Sequence, residues 1–226
     1  MKKLLIVLAG ALLFGNVFAQ NVDDYKAFIK ERKAVQKLSE SERSAKVAKD
    51  IKKAVKQMEK EGWKVNMGAL SLEKQMEKAQ QMQWELDMNS GLPKYIMGEG
   101  KVISSNYSAG KNQAMAQAKT ELAGNIQTEV AALIEDKTGN NEIGQGEAVA
   151  FSESVQAAKQ MIAQSIGRTI PVVECYRELK NGNVEVQVRV FYNIEMSLQA
   201  AKKAMKEELE KKGNKLADQL DKLLGL

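Results

Sequence analysis

The side chains that most often carry out chemistry in proteins are scarce in this 226-residue chain, which has no histidine and a single cysteine, Cys175. Without histidine the chain lacks the commonest general base, the commonest zinc ligand and every Ser-His or Cys-His nucleophile pair. Carboxylate pairs and Ser-Lys arrangements remain as routes to catalysis, but no spacing separates such a pair from the general background of Glu and Lys. We therefore predict no catalytic, cofactor-binding or metal-binding residues, no cofactor, no small-molecule substrate and no enzyme activity.

Cys175 lies inside a β-rich run, residues 172–178. A lone cysteine cannot form an internal disulfide, so the stability of the fold must come from its core. We interpret Cys175 as a buried structural thiol. A reactive or intermolecular thiol is the alternative.

Two glycines, Gly98 and Gly100, lie on the same side of a strand-like segment at residues 95–104. One interpretation is a phosphate-binding turn, but the third glycine of such a turn is missing, and so is a basic residue at the start of the following helix. The other interpretation is a nearly flat strand face that a helix backbone approaches closely. Small residues of the next helix, among them Ala114 and Ala118, agree with close packing, which we predict.

The first 19 residues resemble an export signal: two lysines, Lys2 and Lys3, precede an apolar run that is too short for a stable membrane anchor, and Ala19 suits cleavage before Gln20. A lipoprotein signal would place a cysteine directly after the cleavage point, and Cys175 is far away. We predict a chain that is exported without lipid and is periplasmic or associated with the outer membrane. Its net charge would fall from +5 to +3 on losing the two lysines.

Residues 20–62 form a basic helical arm with twelve Lys and Arg against eight Asp and Glu. Acidic residues are interleaved with the lysines, which is typical of a solvated helix face and less so of a dedicated anion site. Ala48, Ile51, Val55 and Met58 make a narrow apolar stripe, which we expect to pack on the protein's own body, with a partner as the alternative. Residues 63–93 form a linking helix between the arm and the core.

The core segments follow from their apolar periods. They are strand 95–104, helix 108–137, helix 147–166, a β-hairpin with arms 169–179 and 184–192, and an amphipathic C-terminal helix at 200–226. In the second hairpin arm, valines alternate strictly with other residues, which predicts one buried and one mostly wet face and helices on one side of the sheet. The balanced charge of the C-terminal helix favours docking on a protein surface over a membrane.

Residues 94–199 resemble the LPP-twenty family of small exported envelope lipoproteins, and the same module is similar to the N-terminal domain of flagellar assembly protein T. The resemblance rests on the opening residues 95–102, on the alanine-rich helix with Ala114, Ala118 and Ala123, and on the closing strand at 184–192. It implies a compact, dodecin-like α+β unit used for assembly and contact. The missing lipid-bearing cysteine and the basic arm depart from the family pattern.

The predicted fold class is therefore α+β, with a strand-helix-helix-strand-strand-helix core and an N-terminal helical arm. The predicted function is a non-catalytic binding or assembly role in the bacterial cell envelope, with an envelope protein or a second copy of the chain as partner and without nucleic acid. A cell-wall enzyme that uses carboxylates and a peripheral membrane-surface binder are the alternatives.

Overall fold

The computed structural model describes residues 40–87, 93–140, 142–167, 169–211 and 215–224, which fold as an α+β protein. The predicted export signal and residues 20–39 of the arm lie outside the described residues. In chain order the elements are α1 (Glu40–Lys60), α2 (Leu72–Trp84), β1 (Tyr95–Ser104), α3 (Tyr107–Gly139), α4 (Gln145–Ala157), α5 (Lys159–Ser165), β2 (Pro171–Glu178), β3 (Val184–Asn193), α6 (Ile194–Lys211), a 3-10 helix (Lys215–Gln219) and α7 (Leu220–Leu224). The predicted core order is confirmed, with its second helix divided into α4 and α5.

The three strands form an antiparallel sheet in the order β1-β3-β2. Strand β1 pairs with β3 along its full length, from Tyr95 opposite Asn193 to Ser104 opposite Val184. The β2-β3 hairpin turns through residues 180–182, where Gly182 has a φ of +81° and the N–H of Leu179 donates to the carbonyl of Asn183 at 2.8 Å. Only a residue that tolerates positive φ suits the last position of this turn, so the Asn-Gly pair specifies the hairpin.

Helix α3 lies directly against the glycines of β1. A Cβ atom added at Gly100 would lie 1.9 Å from the carbonyl oxygen of Ala114, and one added at Gly98 would lie 2.1 Å from that of Ala118. Distances this short are far inside van der Waals contact, so any side chain at either position would push the helix off the sheet. The predicted close packing of strand and helix is confirmed.

The main core lies on this side of the sheet. Its largest fully buried side chains come from α3, α4, α5, α6 and the C-terminal segment: Leu122, Ile126, Phe151, Ile162, Met205, Leu209, Leu220 and Leu223. The valines of β3 at 186, 188 and 190 close it from below with no exposed surface. The C-terminal helix therefore docks on the protein's own body.

The opposite face of the sheet is covered too, which corrects the prediction of a mostly wet face with helices on one side only. A second core of buried apolar side chains lies between this face and the N-terminal helices: Ile51, Val55, Trp63, Leu72, Ala79, Val173, Cys175 and Phe191. Even the polar strand residues Glu185 and Gln187 are buried beneath it, 7% and 8% exposed. The sheet is thus the middle layer of three, and the arm from Ile51 onward belongs to the outer layer.

The predicted helix at 147–166 is broken at Ala158. The side-chain amide of Gln127 donates to the carbonyls of Val155 and Gln156, at 2.6 and 3.3 Å. In a continuous helix those carbonyls would accept from the N–H groups four residues later. Because the Gln127 amide donates to these carbonyls in place of the helix N–H groups, the helix is interrupted between α4 and α5. Both helices keep their apolar sides in the core.

Candidate functional site

A cluster of polar and aromatic side chains joins the outer N-terminal layer to α3 and β2; we call it the tyrosine cluster. The hydroxyl of Tyr107, in the first turn of α3, donates to the carboxylate of Glu174, and the amide of Asn66 donates to the same hydroxyl. The ammonium group of Lys111 donates to Glu174 at 2.9 Å. The ring of Tyr107 packs on Tyr176 with centroids 4.8 Å apart. Three elements that are distant in sequence therefore meet at one hydroxyl.

The electrostatics of the tyrosine cluster keep Tyr107 neutral. Burial raises the pKa of Tyr107 well above its ordinary value, and the hydrogen bond to Glu174 raises it further because the anionic partner favours the protonated phenol. The hydroxyl is therefore a fixed donor at physiological pH, suited to positioning rather than to proton abstraction. The tyrosine cluster therefore holds the outer N-terminal layer against α3 and β2.

A second group of charges lies under Trp63 on the outer face of the sheet. Glu185, with only 9% of its side chain exposed, is 2.6 Å from Nε of Arg177 and 3.2 Å from Nζ of Lys101. The two cations lie against the Trp63 ring, 4.9 Å (Arg177) and 5.4 Å (Lys101) from its centroid. Cation–π contact and a paired carboxylate together satisfy charges that would be costly to bury alone.

Next to this group, Glu99 accepts from Gln187 at 2.6 Å and from Nε of Arg189 at 2.7 Å. These residues connect β1 to β3 on the outer face of the sheet, so their polar groups form hydrogen bonds with one another. A buried polar face was not anticipated from the alternating pattern, because the pattern cannot show that its polar members bond to one another.

Cys175 is fully buried in the second core and forms no disulfide. Burial raises the pKa of its thiol from an ordinary 9.0 to about 12. A thiol held in this protonated form is a poor nucleophile at neutral pH. The interpretation of Cys175 as a buried structural residue is confirmed, and the reactive alternative has no support from its surroundings.

Both outer edges of the sheet are covered. On β1, the amide of Asn125 donates to the carbonyl of Met97 at 2.7 Å, and the side chain of Gln117 accepts from the N–H of Lys101 at 3.0 Å. Between them Glu121 accepts from the backbone N–H of Glu99, and burial raises the pKa of this carboxyl. The three helix residues are four apart and their strand partners two apart, spacings of about 6 and 6.8 Å that nearly match.

On β2, Lys64 exchanges two backbone hydrogen bonds with Tyr176, at 2.8 and 2.9 Å. The side chain of Gln75 accepts from the N–H of Glu174 at 2.7 Å. Together with the contacts on β1, these bonds occupy backbone groups that an added strand would need. Association through strand addition would have to displace them.

No protein family, no curated protein and no solved structure matches this chain. The likeness to the LPP-twenty family stays a prediction. No site residues were predicted, and across the described ranges no group of three or more His, Cys, Asp and Glu is arranged to hold a metal ion. None of the described helices is long and apolar enough to cross a membrane.

Among the exposed large apolar side chains of the described residues, Met67 is the most exposed, and it lies in the turn at residues 66–69, here called the Met67 turn. Met67 is fully exposed, at 103% of its reference area, and Leu70 directly after the turn is 59% exposed. Gly68 has a φ of +83°, and the N–H of Ala69 donates to the carbonyl of Asn66 at 3.1 Å, as in a type II turn. The turn falls in residues 63–93, for which the sequence predicts only a link between the arm and the core, and the Asn-Met-Gly run is the local signal for it.

Proposed function

We propose that this chain is exported and acts in the cell envelope by binding a protein partner, without catalysis. The observation that carries the proposal is the Met67 turn, which presents two apolar side chains to solvent and is hydrogen-bonded to the body at both ends. The export part rests on the signal-like residues 1–19.

The support of the Met67 turn makes it suitable for recognition. On one side the Asn66 amide donates to the Tyr107 hydroxyl, and on the other the amide of Gln75 donates to the carbonyl of Leu70 at 2.8 Å. A turn that is already held in one conformation loses little entropy on binding. Methionine, whose side chain adapts to irregular apolar surfaces, suits insertion into a partner's pocket.

The covered sheet edges favour side-chain contact over strand addition as the mode of association. The polar groups of the tyrosine cluster and of the Trp63 region bond within the protein, and this favours a binding role over a catalytic one. A partner with an apolar groove, either an envelope protein or a second copy of this chain, fits the two exposed side chains of the Met67 turn.

Site-specific photo-crosslinking in intact cells tests the proposal. A photoreactive amino acid at Met67 should give a discrete crosslinked product, whereas the same group at Asn181, at the exposed tip of the β2-β3 hairpin, should not. Leu70→Asp should reduce the product from position 67, because a charge at the rim of an apolar contact weakens it.

Equal crosslinking from positions 67 and 181, or a product that Leu70→Asp leaves unchanged, would contradict the binding role of the Met67 turn. Cell fractionation checks the export part separately. Recovery of the protein in the cytoplasm, with its first 19 residues intact, would contradict export.

A further inference from the structure

The solvent side of α1 carries a segregated row of cations, here called the lysine face. It consists of five exposed lysines in the described part of the arm: Lys49, Lys52, Lys53, Lys56 and Lys60. At about 100° per residue these five side chains fall within an arc of about 100°, on the side away from the buried Ile51 and Val55. Among residues 48–60, whose side chains the structure describes, no acidic residue lies within that arc.

The charges of the arm are mixed along the sequence but separated on the surface of the helix. Along the sequence, acidic residues are interleaved with the lysines, but on the helix Asp50 and Glu59 project outside the lysine arc. None of the five lysines makes an ion pair or hydrogen bond with any residue that the structure describes. Elsewhere, lysines such as Lys64 and Lys101 are paired at 2.7 and 3.2 Å.

We propose that the lysine face docks the protein on a bilayer of anionic phospholipid. The row extends over about 16 Å of helix, and the convex surface of a helix suits a planar partner and not a pocket. It contains lysine and no arginine, so it offers point charges on flexible stems and not the planar fork that selects individual carboxylates. Juxtaposed lysines are attracted to anionic headgroups roughly additively.

The inference rests on the proposed function in one respect, that an exported protein meets envelope membranes. The Met67 turn and the lysine face both belong to the N-terminal layer that covers the outer face of the sheet. The fold positions the lysine face by burying Ile51 and Val55 against the second core, which fixes the rotation of α1 about its axis.

Vesicle sedimentation tests the proposal, using protein purified from cells with the N-terminus that processing leaves. At about 0.05 M salt the protein should sediment with vesicles of phosphatidylcholine containing about 30% phosphatidylglycerol, and at about 0.5 M salt it should not, because screening shortens the reach of the charges. Vesicles of phosphatidylcholine alone should leave it in the supernatant.

The decisive variant combines Lys52→Gln, Lys53→Gln and Lys56→Gln. Each lysine close to an anionic surface strengthens partition about fivefold, so the triple variant should partition roughly 100-fold more weakly. Its thermal midpoint should stay unchanged, because the three side chains are exposed and unpaired within the described structure.

A matched control combines Lys180→Gln, Lys203→Gln and Lys206→Gln, which removes the same charge from exposed positions off the lysine face. The control should keep its partition within a few-fold of the unchanged protein. Equal weakening of variant and control, sedimentation with uncharged vesicles, or no sedimentation with anionic ones would each overturn the proposal. A cytoplasmic location would count against the proposed function alone and would leave the vesicle result standing.

Discussion

The hydroxyl of Tyr107 donates a hydrogen bond to the carboxylate of Glu174, joining the start of the longest helix to an edge strand 67 residues further along the chain. The bond also orients the support of the Met67 turn, because Asn66 donates to the same hydroxyl. Positioning of the exposed turn is thus coupled to the packing of α3 on the sheet.

Tyr107→Phe should lower the free energy of unfolding by about 1.5–3 kcal/mol, the usual effect of a hydrogen bond to a charged group. The ring remains, so its packing on Tyr176 should be kept. Tyr192→Phe serves as the matched control, since Tyr192 is also partly buried and its hydroxyl makes no hydrogen bond within the described structure. Urea denaturation measures the stability of both variants. Equal stabilities would mean that the Tyr107 hydroxyl does not contribute to the stability of the tyrosine cluster.

Gly100→Ala should destabilise the protein by an amount near the upper end of about 1–3 kcal/mol, because the new methyl group would meet backbone atoms that cannot move without shifting α3. Gly146→Ala is the control: a Cβ atom there meets nothing within 4 Å. This change should leave stability unchanged or raise it by less than about 1 kcal/mol. Thermal melting of the two variants measures the difference, and a Gly100→Ala protein that melts with the parent would contradict the close contact.

Local pattern was enough to predict the elements, because valines at every second position and apolar residues at every third or fourth report one buried side directly. It also predicted the strand-helix contact, since Gly98 and Gly100 share a face. The same logic failed for the outer face of the sheet. Glu185 and Gln187 read as solvent-facing, but Glu185 pairs with Arg177 across the hairpin and Gln187 bonds to Glu99 on β1, and these contacts allow both to be buried.

The features of the candidate site depend on such long-range pairs, and this is why sequence alone did not reveal them. The break at Ala158 depends on Gln127, which bonds to the carbonyl of Val155 from 28 residues away, and nothing in the local sequence of α4 and α5 signals it. Likewise the five lysines of α1 are interleaved with acidic residues in the sequence, and their separation on one side becomes visible only when the rotation of the helix is known. That rotation is set by which side the second core buries.

Cys175 should make the protein less stable at alkaline pH. Its pKa is raised from 9.0 to about 12 in the folded protein, so the unfolded chain loses this proton at a lower pH than the folded one. The stabilising contribution is complete below about pH 8.5 and is lost as the pH rises towards 12. Urea denaturation at several pH values should show a steeper alkaline loss for the parent protein than for Cys175→Ala. Parallel curves would mean that the thiol does not contribute to the loss.

The burial of Cys175 also sets how it reacts. In native buffer a maleimide should label it slowly, at a rate limited by opening of the second core, and labelling should become fast in denaturant. Labelling as fast in the native protein as in the unfolded one would contradict the buried position.

Ile51→Ala tests whether the arm packs on the protein's own body. Ile51 is 8% exposed and lies in the second core with Val173, Cys175 and Phe191, so truncation should cost about 2–5 kcal/mol. Lys53→Ala, two residues along on the opposite side of α1, should change stability by less than about 0.5 kcal/mol. Both variants are compared by urea denaturation at two protein concentrations. If Ile51→Ala loses the same stability at both concentrations, the contact lies within one chain, because a contact between chains would weaken on dilution. If Ile51→Ala is as stable as Lys53→Ala, α1 does not pack on the sheet in solution.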